Sequence, residues 1–115
     1  MPRASSSVPD QSTVTAPAAS AAVPVPSASS ALLTESRIAR DAGNYAAAAA
    51  SIERALRIEP NNAVLWLEYA ELRMAEGDLE QAEMLARKTA SLAGDDRSIQ
   101  EASGRLLAEI SSRAR

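Results

Sequence analysis

The chain has 115 residues, a formal net charge of −3 and 26 alanines, but no cysteine, histidine or phenylalanine. Its composition therefore excludes a Cys/His zinc site, a thiol nucleophile, a Ser-His-Asp triad, a His-ligated haem and any disulfide framework. The weak acidity also argues against a general nucleic-acid or anionic-membrane surface, and the length allows one small domain at most.

Residues 1–30 differ in composition from the rest of the chain. They hold five of the six prolines and only two charged residues, Arg3 and Asp10. Proline interrupts helices, and the small side chains bury too little area to offset the entropy of ordering. We predict a disordered Ala/Pro/Ser-rich linker here, which acts either as a spacer for a folded domain or simply as a disordered tail. No run of 18 apolar residues occurs, so we expect no transmembrane segment.

From residue 31 onward the pattern is helical and repeats every 34 residues. Gly43 and Gly77 occupy equivalent positions, where a glycine can end a helix. The residue after each glycine, Asn44 or Asp78, can cap the next helix by accepting backbone N–H bonds. The pattern predicts five helices, at residues 31–42, 45–58, 63–76, 79–93 and 97–113.

The third and fifth of these helices show how the repeats are expected to pack. The third combines large and small residues, such as Trp66 and Ala70, so that one fills the space left by the other. We expect Trp66 to lie in the core, where truncation to alanine costs about 3 to 5 kcal/mol. The fifth helix has one apolar side and a polar back, as a helix that ends a stack of repeats requires.

The second copy resembles the tetratricopeptide repeat in its tryptophan, its small residue four positions later, its Gly77-Asp78 pair and Ala82. The first helix of the first copy departs from the family, with Glu35 and Ser36 in place of a large apolar and a small residue, so we expect it to be the loosest. The resemblance implies an all-α fold, a short right-handed α-solenoid. Its parts are a domain at 31–115 made of repeats at 31–62 and 63–96 and a capping helix at 97–113, preceded by the linker at 1–30.

The resemblance also implies a concave groove, lined by the first helix of each pair, that binds a peptide or a partner helix. Apolar residues on an open face need a cover, so Leu67 and Met74 are candidate anchors, with ordinary packing as the alternative for both. Exposed charges are more often solvated than engaged with a partner. Some members of the family bind the C-terminal carboxylate of a chaperone tail. Acidic residues stand at the matching positions of this chain and would repel that carboxylate, so we expect no such binding site. The candidate groove residues are Leu33, Arg37, Arg40, Val64, Leu67, Glu68, Glu71, Met74, Glu101 and Arg105.

A pair of repeats behind a small-residue tether resembles small bacterial envelope lipoproteins. The second repeat, over residues 65–73 and 77–83, is similar to the repeat-containing lipoprotein activators of class A penicillin-binding proteins in gammaproteobacteria. That likeness implies a monomeric, non-enzymatic regulator without cofactors that binds and activates a peptidoglycan synthase. It also implies a periplasmic location, with an outer-membrane anchor provided by a lipidated cysteine upstream of Met1. Without such an anchor, the alternative is a cytoplasmic or a pilus or secretion assembly adaptor.

An enzyme is the third hypothesis for this sequence. Carboxylate pairs such as Glu68/Glu71 and Asp95/Asp96 are present. Catalytic carboxylates need a pocket that perturbs their pKa values, and a thin solenoid of two repeats offers little depth. We therefore predict no catalytic activity and no metal or cofactor site.

Overall fold

The computed structural model of the chain describes residues 27–114. These residues form five α-helices: α1 (Ala28–Asp41), α2 (Tyr45–Ile58), α3 (Ala63–Ala75), α4 (Leu79–Leu92) and α5 (Arg97–Arg113). The five predicted helices are confirmed, each within three residues of its predicted bounds. The predicted linker lies outside the described residues as far as residue 26, and its last four residues instead belong to α1 and its cap.

The early start of α1 has a local cause. The side chain of Ser27 accepts a hydrogen bond from the backbone N–H of Ser30 at 3.1 Å, which satisfies a donor that the first turn cannot pair internally. Composition alone places the helix start later, because Ala28, Ser29 and Ser30 resemble the small residues before them.

The other four helices also begin at side-chain caps. In each, the cap oxygen lies 3.0–3.2 Å from a backbone nitrogen two or three residues further on. Gly43 and Gly77 precede two of these caps and have φ values of 80° and 86°, the left-handed region that favours glycine. The predicted turns are thus confirmed. The capping residues are Asn44, Asn62, Asp78 and Asp96.

The helices pack as two antiparallel pairs followed by a single helix. The first pair is α1 with α2 and the second is α3 with α4, while α5 packs on α4 and on α3. The first helices also contact one another, α1 with α3 and α3 with α5. The described chain is therefore the all-α solenoid that the sequence predicts, with α5 in the place of a third repeat's first helix.

The core between repeats is made of large residues on a first helix and alanines on the preceding second helix. Leu72 of α3 packs with Ala48 and Ala49 of α2. Leu106 and Ile110 of α5 lie in one cluster with the alanines of α4. Small residues on the second helices let the next first helix approach closely, which is how the alanine-rich α2 contributes to stability.

Trp66 does not take the core position expected of it. It is partly exposed, and its indole N–H donates to the backbone oxygen of Pro60 at 2.7 Å. The ammonium of Lys88 lies 5.6 Å from the ring centroid. The buried position belongs instead to its neighbour Leu65, which packs with Leu32 and other apolar residues of the first repeat.

Ser36 supplies the small residue that α1 was expected to lack. It is buried, and its hydroxyl donates to the backbone oxygen of Ala48 at 3.1 Å. A serine can thus take the place of the family's small residue because its one polar group finds a partner on α2. The expected looseness of α1 remains a prediction.

Candidate protein-binding site

Four charged residues join α1 to α3 on the side where the first helices meet. The Nε atom of Arg37 lies 3.1 Å from Oε1 of Glu68, and Nη1 of Arg40 lies 2.8 Å from the other carboxylate oxygen. The same Arg40 nitrogen lies 3.5 Å from Oε1 of Glu71. We call Arg37, Arg40, Glu68 and Glu71 the ionic cluster.

The burial of Glu68 changes its predicted role. Only 4% of its side chain is exposed, so it does not present a charge to a partner as the groove prediction assumed. The desolvated carboxylate is compensated by two arginines of the neighbouring repeat. Glu68 therefore fixes α1 against α3, and the charges of the ionic cluster that remain accessible belong to Arg37, Arg40 and Glu71.

The apolar groove candidates divide into core and surface. Met74 is 6% exposed and lies in the core cluster of α3, α4 and α5, so it takes the packing role given as the alternative to an anchor. Leu67 packs against the same cluster and Leu33 against the core of the first repeat, each partly buried. Val64 is exposed. Val64 is thus the most accessible apolar candidate.

The capping helix contributes two exposed candidates, Glu101 and Arg105. They are four residues apart on α5, and therefore on one face of the helix. No ion pair joins either side chain to another residue of the described chain. They supply the charges that are most free to meet a partner.

The pKa of Glu71 is raised above its ordinary value, first because burial disfavours the charged form and then because the Glu68 carboxylate repels it. The positive charge of Arg40 acts in the opposite direction but does not cancel these effects. On acidification, Glu71 therefore takes up its proton at a higher pH than an ordinary glutamate does.

Replacing Glu71 with glutamine is expected to change the pH dependence of stability. The folded-state pKa lies above 4.5, so the folded chain binds this proton more tightly than the unfolded chain does. As pH rises from 4.5 through the raised pKa, the wild type should lose free energy of unfolding relative to Glu71→Gln. Urea unfolding of both proteins between about pH 4 and pH 8 measures this difference.

A free-energy difference that stays constant across this pH range would contradict the expected role of Glu71. Glu80→Gln is the control, because it removes an exposed carboxylate from the first turn of α4, outside the ionic cluster. The comparison separates the effect of the ionic cluster on Glu71 from the general effect of losing one negative charge.

A second polar network, which was not among the sequence predictions, joins α2 to α3. The Tyr69 hydroxyl donates to Glu53 at 2.7 Å, and Arg73 donates to the Tyr69 oxygen at 3.1 Å and to Glu76 at 2.6 Å. The guanidinium of Arg73 lies 5.0 Å from the Tyr69 ring centroid. The spacing of Tyr69 and Arg73, four residues apart on one helix, was the available signal.

The helices of the described chain present an open surface. Residues 27–114 enclose no pocket, and nowhere in that range do three or more acidic side chains converge as a metal site requires. None of the five helices is both long enough and apolar enough to cross a bilayer. The candidate site is thus an open surface on α1, α3 and α5.

Comparison with known proteins gives a consistent result. A family model described as tetratricopeptide repeat matches residues 39–109. The structure is similar to that of the globular C-terminal domain of LpoP from P. aeruginosa, with a TM-score of 0.76 and 32% sequence identity. The similarity covers 78% of this chain and 85% of that domain. No curated protein matches the chain by sequence.

Proposed function

The chain belongs to the tetratricopeptide repeat family, and on this premise we propose that it is a non-enzymatic envelope regulator that binds and activates a peptidoglycan synthase. The observation that carries the proposal is the similarity to the LpoP domain, at 32% identity over most of both chains. It supports the resemblance of the second repeat to the lipoprotein activators of class A penicillin-binding proteins. The family itself supports the coarser conclusion, a protein-interaction module.

The surface that we assign to the synthase runs over the first helices. At the start of α3, Val64 is exposed and Leu67 is partly buried, and Leu33 on α1 is also partly buried. The accessible part of the ionic cluster adds charges of both signs, and so do Glu101 and Arg105. This surface suits a partner segment of mixed charge with a small apolar contact, since buried apolar contacts carry most of the affinity and charges set the register.

A catalytic role has no support among the carboxylate pairs. Glu68 and Glu71 are engaged with arginines, and Asp96 caps α5 by accepting from the backbone N–H of Ile99. A general acid or base must instead have a free oxygen within reach of a substrate. We infer that Glu68, Glu71 and Asp96 are structural and that the chain acts by binding.

The proposal includes a location. A regulator that contacts a class A penicillin-binding protein works in the periplasm, and we propose a lipid anchor upstream of Met1 with residues 1–26 as part of the tether. A fully extended segment of that length spans about 85 Å at roughly 3.3 Å per residue. The test of this part is direct: a genomic reading frame with no export signal and no lipid-accepting cysteine upstream would exclude it.

The groove is tested by substitutions at exposed positions, so that the variants still fold. We expect Val64→Glu and Arg105→Glu each to weaken binding to a purified class A penicillin-binding protein by at least about tenfold. Both should also abolish the chain's stimulation of glycan polymerisation. A new glutamate at position 64 lies in the first turn of α3, where a negative charge suits the helix dipole. Binding is measured by interferometry and activity by incorporation of labelled lipid II.

Met84→Glu is the matched control, because Met84 is 63% exposed on α4, away from the first helices. Wild-type binding and stimulation in this variant, together with their loss in the groove variants, would support the proposal. If the wild-type chain neither binds nor stimulates the synthase, the synthase role is wrong. A different partner captured from extract and lost in Val64→Glu would then assign the groove to an adaptor function.

A further inference from the structure

One end of the candidate groove carries no charge. Val64 is the second residue of α3 and is 36% exposed, and Leu67, one turn later, is partly exposed. A shift of 34 residues places Ser30 and Leu33 of α1 at the equivalent positions, and α1 contacts α3. We call Ser30, Leu33, Val64 and Leu67 the uncharged end of the groove.

A chain of polar side chains ties the beginning of α1 to the beginning of α3. The hydroxyl oxygens of Ser27 and Ser29 lie 3.2 Å apart, and the Ser29 hydroxyl donates to the carboxylate of Glu59. The amide of Asn62, which caps α3, donates to the other oxygen of that carboxylate at 2.8 Å. Residue 26 is bonded to Ser27, so the preceding segment joins the described chain close to Val64.

The sequence of that segment suits the uncharged end. The four residues before Ser27 are Val23-Pro24-Val25-Pro26, and no charged residue occurs from 11 to 26. Proline fixes its own φ and restricts the residue before it to extended conformations, so all four residues lose little freedom when they bind. In a polyproline II conformation they span about 12 Å. Packed helices lie about 8–10 Å apart, so the segment is long enough to cross from α1 to α3.

We propose that residues 23–26 lie across the uncharged end of the groove in the free protein and cover Val64. The segment is bonded directly to Ser27, which holds it near the groove at an effective concentration in the millimolar range. A weak contact is therefore enough to cover Val64 in about half of the molecules or more. Val64 is also the most accessible apolar group offered to a partner, so the segment competes for the same surface.

Two other exposed isoleucines fit this segment less well. Ile58, at the end of α2, is 52% exposed, but the exposed Arg54 lies one turn before it on the same face. An uncharged cover there would remove water from a guanidinium without pairing it. Ile38 lies about 16 Å along α1 from Ser27, beyond the roughly 12 Å that the four residues span. Val64 combines a short reach with uncharged neighbours.

The reactivity of a single thiol tests the contact, because the chain contains no cysteine. Val64→Cys introduces a side chain that is small and apolar like the one it replaces. We expect this thiol to react with iodoacetamide at least about twofold faster when Val23 and Val25 are both replaced with serine, since the groove then loses its cover. The full chain is used throughout, and circular dichroism checks that every variant is folded.

Matched variants separate cover from other effects of the substitutions. Serine at Val8 and Val14, the two valines farther from α1, should leave the rate at position 64 unchanged. A thiol at Met84, which is 63% exposed on α4, should react at one rate in all backgrounds. Equal rates at position 64 in the wild-type and Val23/Val25 backgrounds would overturn the proposal. A change seen at Ile58→Cys but not at Val64→Cys would overturn it as well.

The consequence for the synthase rests on the proposed function, whereas the contact itself does not. Replacing Val23 and Val25 with serine should strengthen binding to a purified class A penicillin-binding protein by the same factor that the thiol rate increases. If the thiol is protected but the synthase does not bind, the proposed partner is wrong and the contact stands. If the synthase binds but the thiol rates are equal, the contact is wrong and the proposed function stands.

Discussion

Replacing Leu72 with alanine is expected to lower the free energy of unfolding by about 3 to 5 kcal/mol, the upper range for a buried leucine. Leu72 is fully buried and packs with Ala48 and Ala49 of the first repeat. Alanines cannot extend into the space that is left, because they have no rotatable side chain. The cavity therefore lies at the junction of the two repeats.

Urea unfolding followed by circular dichroism measures this loss. For a domain of this size, each 1 kcal/mol corresponds to roughly 4 to 8 °C in melting temperature, so a shift well above about 10 °C is expected. Met84→Ala is the control, since an exposed truncation should change stability by less than about 0.5 kcal/mol. A loss below about 1 kcal/mol for Leu72→Ala would contradict the packing described for this junction.

Trp66→Ala gives a second comparison within the same helix. A ring buried in the core, as the sequence predicts, would give a cost of about 3 to 5 kcal/mol, whereas the ring is partly exposed in the structure. We now expect Trp66→Ala to cost less than Leu72→Ala. Its cost should come from the contacts of the ring with Pro60 and Lys88 rather than from a core cavity.

Much of the fold could be predicted because its signals are local. Gly43 and Asn44 end one helix and begin the next through their own backbone and side-chain preferences, and the same chemistry recurs at Gly77 and Asp78. The repeat then implies which helices pair. The start of α1 was missed because its cap, Ser27, stands within a run of small residues.

The candidate site was harder to predict because its properties come from contacts between repeats. The charge of Glu68 predicts an exposed side chain. Glu68 is nevertheless buried, because Arg37 and Arg40 of α1 form ion pairs with it. Met74 lies in the core because α5 covers it. The spacing of apolar and polar residues along one helix does not indicate which of its faces a later helix will cover.

These contacts also separate two roles within the predicted groove. The ionic cluster holds the first helices of the two repeats together, while Val64 and Arg105 remain free to meet a partner. A substitution in the cluster should therefore act on stability before it acts on binding. This difference allows the structural and functional residues to be distinguished by experiment.

Replacing Arg40 with methionine is expected to lower the free energy of unfolding by about 3 kcal/mol. Arg40 pairs with Glu68 at 2.8 Å and with Glu71 at 3.5 Å, so its loss leaves a buried carboxylate beside a second one. Arg37 continues to bond Glu68 at 3.1 Å, and for that reason the expected loss lies at the lower end of the range for broken buried pairs. Urea unfolding at neutral pH measures it.

Combining Arg40→Met with Glu68→Met tests whether the loss comes from the uncompensated charge. A methionine pair of similar volume leaves no buried carboxylate, so the double variant should lie within about 1 kcal/mol of the wild type. Arg87→Met, which breaks an exposed pair with Glu83 on α4, should cost less than about 0.5 kcal/mol. If the double variant is as unstable as Arg40→Met alone, the loss comes from the packing of the arginine stem rather than from the buried charge.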